Sequence, residues 1–146
     1  MLDAVRKDVP QAAFVLGFLG AVPFVGLALS IALGGPLADW ALGALLAYGA
    51  VILSFMGGVH WGWAMAADEP SYARLGTSVL PSLLGWAGLL VGGTQGFIIL
   101  AVSFAALLRL DLQAIAEGRA APWYRRLRWP LTVIVVASLL TAGVLA

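Results

Sequence analysis

Cysteine is absent from the 146 residues, and histidine occurs once. Without thiols there are no disulfides, thiolate metal sites, c-type haem attachments or cysteine nucleophiles. One histidine falls short of the three or four protein ligands that a zinc site generally needs, so no metal site is expected. Charge is scarce as well. Asp, Glu, Lys and Arg make up 10% of the chain, against roughly 25% in a soluble domain, too few to cover a water-facing surface. The net charge of +1 gives no basic footprint for nucleic acid. Metalloprotease, hydrolase-elbow, phosphate-loop and dinucleotide motifs are missing. There is also no sustained repeat and no strand alternation.

What the chain has is apolar length: 62% hydrophobic residues and a mean hydropathy of +1.01. About 20 apolar residues cross a bilayer, and five stretches qualify, at about 10–33, 40–66, 75–93, 95–115 and 128–146. Turn residues separate them: Gly34-Gly35-Pro36, Asp68-Glu69-Pro70-Ser71 and Gly92-Gly93-Thr94-Gln95. Asp39 is placed to cap the second span and Gly118 the extended fourth. Arg6 and Lys7 ahead of an apolar run look like the start of a signal peptide. The run from Val9 to Leu33 is too long for one, so an uncleaved first span is expected. The fold class read from this is all-α: a single-domain integral membrane bundle of five transmembrane helices over residues 1–146.

The eight basic residues are Arg6, Lys7, Arg74, Arg109, Arg119, Arg125, Arg126 and Arg128. With five crossings all of them fall on the N-terminal side, so the positive-inside rule predicts a cytosolic N-terminus and an outside C-terminus. Trp40 then marks the outer interface, and Trp63, Trp123, Tyr124 and Trp129 the inner one. The segment AAPWYRRLRWP is expected to lie along the inner surface with its arginines among anionic headgroups.

The second span carries SFMGGVHWGW and with it the single histidine. At 100° per residue Gly43, Ala50, Gly57 and Ala64 form one small-residue seam, and Ala47, Ser54, Gly58 and Gly62 form another. Small residues allow helices to approach closely in lipid, so this helix is expected at the centre, packed on both sides. The packing positions are Gly43, Ala50, Gly57, Gly58 and Gly62. His60 falls on the first seam's face, with Trp61 about 100° away and Trp63 close to the histidine's own face. Ser78, Ser82, Arg109 and Asp111 come to the same cytosolic slab. His60, Trp61, Ser78, Ser82, Arg109 and Asp111 therefore form a candidate intramembrane polar site, because ionisable groups within a bilayer are costly and usually functional. Arg109 and Asp111, two residues apart, do not face each other, and Arg109 can snorkel to headgroups.

Three stretches, YGAVILSFMGGVHWGWAM, SVLPSLLGW and APWYRRLRWPLT, resemble the small membrane proteins grouped as domain of unknown function 3429. That group includes the mitochondrial transmembrane protein sixty-nine type. The resemblance covers nearly the whole chain. Its G-G-x-H-W-G core stands here as Gly57, Gly58, His60, Trp61 and Gly62. It implies fold and membrane location rather than an activity, and its occurrence in bacteria and mitochondria implies an energy-transducing inner membrane.

The leading expectation is a multi-pass protein of the bacterial inner (cytoplasmic) membrane. It would be a non-enzymatic accessory or assembly factor of a larger membrane complex, respiratory complexes included. Its partners are the lipid bilayer and a membrane protein complex, with no nucleic acid and no cofactor. The alternatives are a binder of quinone, lipid or haem around His60, haem because a lone histidine suffices as proximal ligand, and a small transporter.

Overall fold

The computed structural model describes residues 9–68 and 70–146. Arg6, Lys7 and Glu69, which entered the readings above, lie outside the described residues.

Among the described residues five helices are long and apolar enough to cross a membrane: α1 (Gln11–Leu33), α2 (Ala38–Ala66), α3 (Tyr72–Val91), α4 (Gly93–Ala116) and α5 (Trp123–Leu145). No strand occurs among the described residues. The short links are made by backbone that glycine adopts most readily. Gly34 and Gly35 have φ of 71° and 96° between α1 and α2, and Gly92 and Gly93 have 66° and 54° between α3 and α4. At the end of α4, Gly118 (φ 74°) and the following turn form a Schellman motif. The N–H of Gly118 donates to the Ile115 carbonyl at 3.1 Å and that of Arg119 to the Ala114 carbonyl at 2.8 Å. At the start of α2 the N-cap is Leu37, not Asp39. Asp39 lies in the first turn without capping, where a carboxylate still complements the helix dipole.

The fifth span differs from expectation. It starts at Trp123, five residues before the predicted boundary, and runs through Pro130. WYRRLRWP is therefore the first two turns of a transmembrane helix and not a strip along the surface. Pro122 at the N-cap supplies a helical φ of −58°, and Pro130 is carried inside the helix. Two arginines of that stretch, Arg125 and Arg126, remain exposed, but Arg128 is turned inward.

α2 packs against all four other helices, most extensively against α3. Its first seam is responsible. Ala50, Gly57 and Ala64 are buried, and a Cβ on Gly57 would stand 2.7 Å from the Ser78 carbonyl oxygen and 3.1 Å from Pro81. Gly85 of α3 meets Ala50 in the same way, and Gly88 of α3 faces Gly96 of α4. These contacts bring backbone against backbone, the packing that lipid-embedded helices use in place of a hydrophobic drive. The rest of the core includes Phe24, Leu45, Leu53, Phe97, Leu100, Phe104 and Leu139.

The other seam is largely uncovered. Gly58 and Gly62 have nothing within 4 Å of an added Cβ, Ala47 is exposed and Ser54 half-buried, and Gly43, the first seam's outermost member, is open in the same way. α2 is thus packed around one face only. α1 and α3 lie on its flanks and α4 and α5 behind, and among the described residues no further element covers the remaining side.

Candidate functional site

Asp111 on α4 has no exposed surface. A carboxylate there must be paired and hydrogen-bonded, or it would be neutral. It is paired twice. His60 Nε2 of α2 donates to Asp111 Oδ1 at 2.6 Å, and Arg128 Nε of α5 donates to Asp111 Oδ2 at 2.5 Å. The Arg128 side chain is 6% exposed and that of His60 10%. Three helices are therefore tied to one carboxylate.

The sequence places these groups together through depth. Asp111 and Arg128 are each five residues from the α4 end and the α5 start that face each other across the short 117–122 link. At 1.5 Å per residue, each lies about 7.5 Å into the bundle. His60 is six residues from the end of α2 at the same end of the bundle, about 9 Å in. An aromatic cover closes the site. The Trp63 ring sits edge-on to His60 with centroids 4.8 Å apart, then to Tyr124 at 5.7 Å, and Tyr124 meets Trp123 at 6.0 Å.

On the other side of His60 is a polar pocket of about 260 Å³. Its wall includes His60, Arg74, Ser78, Gln113, Glu117 and Arg119. Arg119 Nη2 lies 2.8 Å from Glu117 Oε2, and Gln113 Nε2 donates to Glu117 Oε1 at 3.0 Å. The hydrogen bond from Arg119, and then that from Gln113, holds the Glu117 carboxyl below the usual carboxylate range.

The predicted site residues divide. His60 and Asp111 are bonded, and Ser78 is buried in the pocket wall beside His60. Ser78 Oγ donates to the Leu75 carbonyl of its own helix at 2.6 Å, so its proton is committed there and not to the imidazole. Trp61 is 43% exposed on the outer surface. Ser82 is half-buried outside this pocket's wall, and Arg109 is exposed. The cation on Asp111 is Arg128 instead. Depth matching would have found it: two residues equally far from a short inter-helix link share a slab. Starting the fifth span at 128 put Arg128 at the interface and concealed that relation. Among the described residues, no group of three or more His, Asp or Glu side chains could hold a metal ion.

The fold and site define a class: a five-helix membrane-spanning bundle whose central polar element is a buried His–Asp–Arg triad. The family model described as "Protein of unknown function (DUF3429)" matches residues 9–144, and the chain belongs to that family. It is similar to "Transmembrane protein 69" of Xenopus tropicalis, 36% identical over 138 residues, covering 91% of this chain and 54% of that protein. It is also similar to "Transmembrane protein 69" of Mus musculus, 24% identical over 141 residues, covering 94% and 58%. The chain thus spans a little over half the length of the curated relatives it matches. No solved structure matches it.

Proposed function

We propose that the protein is a non-enzymatic accessory or assembly subunit of a larger complex in the bacterial inner membrane, respiratory complexes included, inserted with its basic end in the cytosol. The observation that carries this reading is the uncovered face of α2. Gly43, Ala47, Gly58 and Gly62 form a smooth track on the outside of a helix whose opposite face is fully packed. Trp40, Val51, Phe55, Trp61 and Met65 stand exposed along it. A lipid chain gains nothing from glycine, whereas a second helix does, because a small-xxx-small pair lets two backbones come together. The basic end supports the cytosolic orientation through the positive-inside rule.

The polar chemistry fits a structural part better than a catalytic one. His60 is engaged with Asp111, and the hydroxyls of Ser78, Ser103 and Ser138 are bonded to carbonyls of their own helices. None of these serines has a base positioned to activate it. The test is recovery of the tagged protein from gently solubilised membranes, with Gly58→Leu and Gly62→Leu as variants. A defined membrane partner should co-purify with the native chain and be lost with the leucine variants, while the variants still insert and remain monodisperse. Recovery of the native chain only as a free monomer would sink the proposal.

A further inference from the structure

Two adjoining cavities follow the seam between α3 and α4. The first is the polar pocket of about 260 Å³ beside His60, at the basic end of the bundle. The second is a groove of about 110 Å³ that shares Thr77 and Leu110 with that pocket and continues inward. It follows α3 from Thr77 to Leu84 and α4 from Leu110 back to Ser103. At 1.5 Å per residue each stretch is about 10 Å long. Pro81 and Leu107 in its wall are buried, whereas Leu80 and Leu84 are exposed, so the groove opens to the bilayer. The hydroxyls of Thr77 and Ser103 donate to carbonyls of their own helices, which leaves the groove an apolar surface.

The polar pocket carries a surplus of positive charge. Among the described residues its wall holds two guanidiniums, Arg74 and Arg119, against one carboxylate, Glu117. Glu117 is already answered by Arg119, whose Nε and Nη2 both lie 2.8 Å from Oε2. Arg74 Nη2 stands 4.0 Å from the same oxygen, beyond hydrogen-bond length, and its side chain is 45% exposed. The Arg74 donors are therefore accessible to a ligand, and a guanidinium fork matches a phosphate.

We infer that pocket and groove together bind one anionic glycerophospholipid from the leaflet at the basic end, its phosphodiester on Arg74 and an acyl chain in the α3–α4 groove. Basic pockets between membrane helices take anionic headgroups. Charge selects a phosphodiester with an uncharged headgroup, of the phosphatidylglycerol type. Its single negative charge matches the surplus, whereas a zwitterionic lipid would bring an ammonium to the arginines and cancel nothing. Size argues against a fatty acid. A cavity of about 150 Å³ already takes a benzene ring, so a lone carboxylate would leave most of the polar pocket unfilled. A phosphate with its glycerol headgroup fills more of it, and the glycerol hydroxyls donate to Glu117. Continuity selects a lipid over a free phosphate ester, because the groove leads from the polar pocket into apolar surface. The site uses none of the open track on α2 and so does not depend on a docked partner.

The test is native mass spectrometry of the delipidated full chain in mild detergent. It is titrated with phosphatidylglycerol, with phosphatidylethanolamine of the same chains, or with glycerol 3-phosphate. Arg74→Gln removes the exposed guanidinium, and Ala106→Trp fills the groove from an exposed position in its wall. Arg125→Gln, an exposed arginine outside both cavities, is the control for general surface charge. Expected are one saturable phosphatidylglycerol per chain and affinity at least about tenfold weaker for phosphatidylethanolamine. Arg74→Gln and Ala106→Trp should each weaken phosphatidylglycerol by a similar factor, and Arg125→Gln should leave it unchanged. Adducts that never saturate, or a loss in Arg125→Gln equal to that in Arg74→Gln, overturn the inference. Equal binding of phosphatidylethanolamine overturns the assignment of an anionic lipid. Glycerol 3-phosphate that binds as tightly, with Ala106→Trp without effect, would mark a soluble phosphate-ester site and overturn the lipid.

Discussion

Asp111 and Arg128 stand at equal depth on consecutive helices, and their side chains meet with Oδ2 2.5 Å from Nε where neither reaches the surface. The loop between them is only six residues long, from Glu117 to Pro122. The ion pair thus fastens α4 to α5 close to their link, and His60 extends the tie to the central helix. Carboxylate oxygens accept, so His60 presents an N–H to Asp111 as Arg128 does.

Removing the shared carboxylate leaves the buried guanidinium uncompensated. Asp111→Ala is expected to lower unfolding stability in mild detergent by about 3–5 kcal/mol. His60→Ala should cost nearer to about 1 kcal/mol, because Asp111 keeps its arginine and inter-helix bonds in membranes average only about 0.6 kcal/mol. Denaturant titration of the purified variants checks the order. Equal losses would mean that the three groups do not act through Asp111.

A simultaneous replacement tests whether the triad itself is needed for folding. Buried ion pairs repay little of their desolvation, and apolar residues of similar volume are often as stable or more so. His60→Leu, Asp111→Leu and Arg128→Met together should therefore restore stability to within about 1 kcal/mol of the native chain, as denaturant titration of the purified variant checks. If the triple variant is as unstable as Asp111→Ala alone, the triad is required for folding.

How far the sequence could be read follows from which signals are local. Five spans, the central second helix, the inward face of His60 and the shared depth of His60 and Asp111 all come from length and helical period, which single segments carry. Arg128 did not, because its position depends on where α5 begins, and a helix start beside two prolines (Pro122 and Pro130) is poorly marked. The two α2 seams were equally small by sequence. Only the partner helices decide that Gly57 meets a carbonyl while Gly62 meets open space. Periodicity identifies a face, but it does not count the neighbours available to cover it.

That difference is testable by adding one methyl group. Gly57→Ala places a Cβ 2.7 Å from the Ser78 carbonyl oxygen, where backbone must move. Overpacking of this kind costs about 1–3 kcal/mol. Gly62→Ala meets nothing within 4 Å, and should gain slightly in stability from alanine's better helix propensity. Thermal unfolding of the two variants in the same detergent should therefore shift in opposite directions. A loss at both positions would mean that α2 is covered on both faces.

Acid acts on the polar pocket through Glu117. Its folded carboxyl pKa is lowered, chiefly by the hydrogen bond from Arg119 and then by that from Gln113. A depressed carboxyl pKa stabilises the folded state above the unfolded value, and the contribution is lost as pH falls through the folded one. At neutral pH the bond to Arg119 is thus fully present. It weakens as the pH drops past the ordinary glutamate range at about 4. The group is exposed, so the effect on global unfolding is small and screened by salt. The local readout is better: amide exchange at Gly118 and Arg119, whose N–H groups close the α4 Schellman turn, should accelerate in the native chain when pH-corrected rates are compared across that window. Glu117→Gln should show the faster rate at every pH. A native chain whose corrected rates stay flat through that window would show that the Glu117–Arg119 contact does not hold the turn.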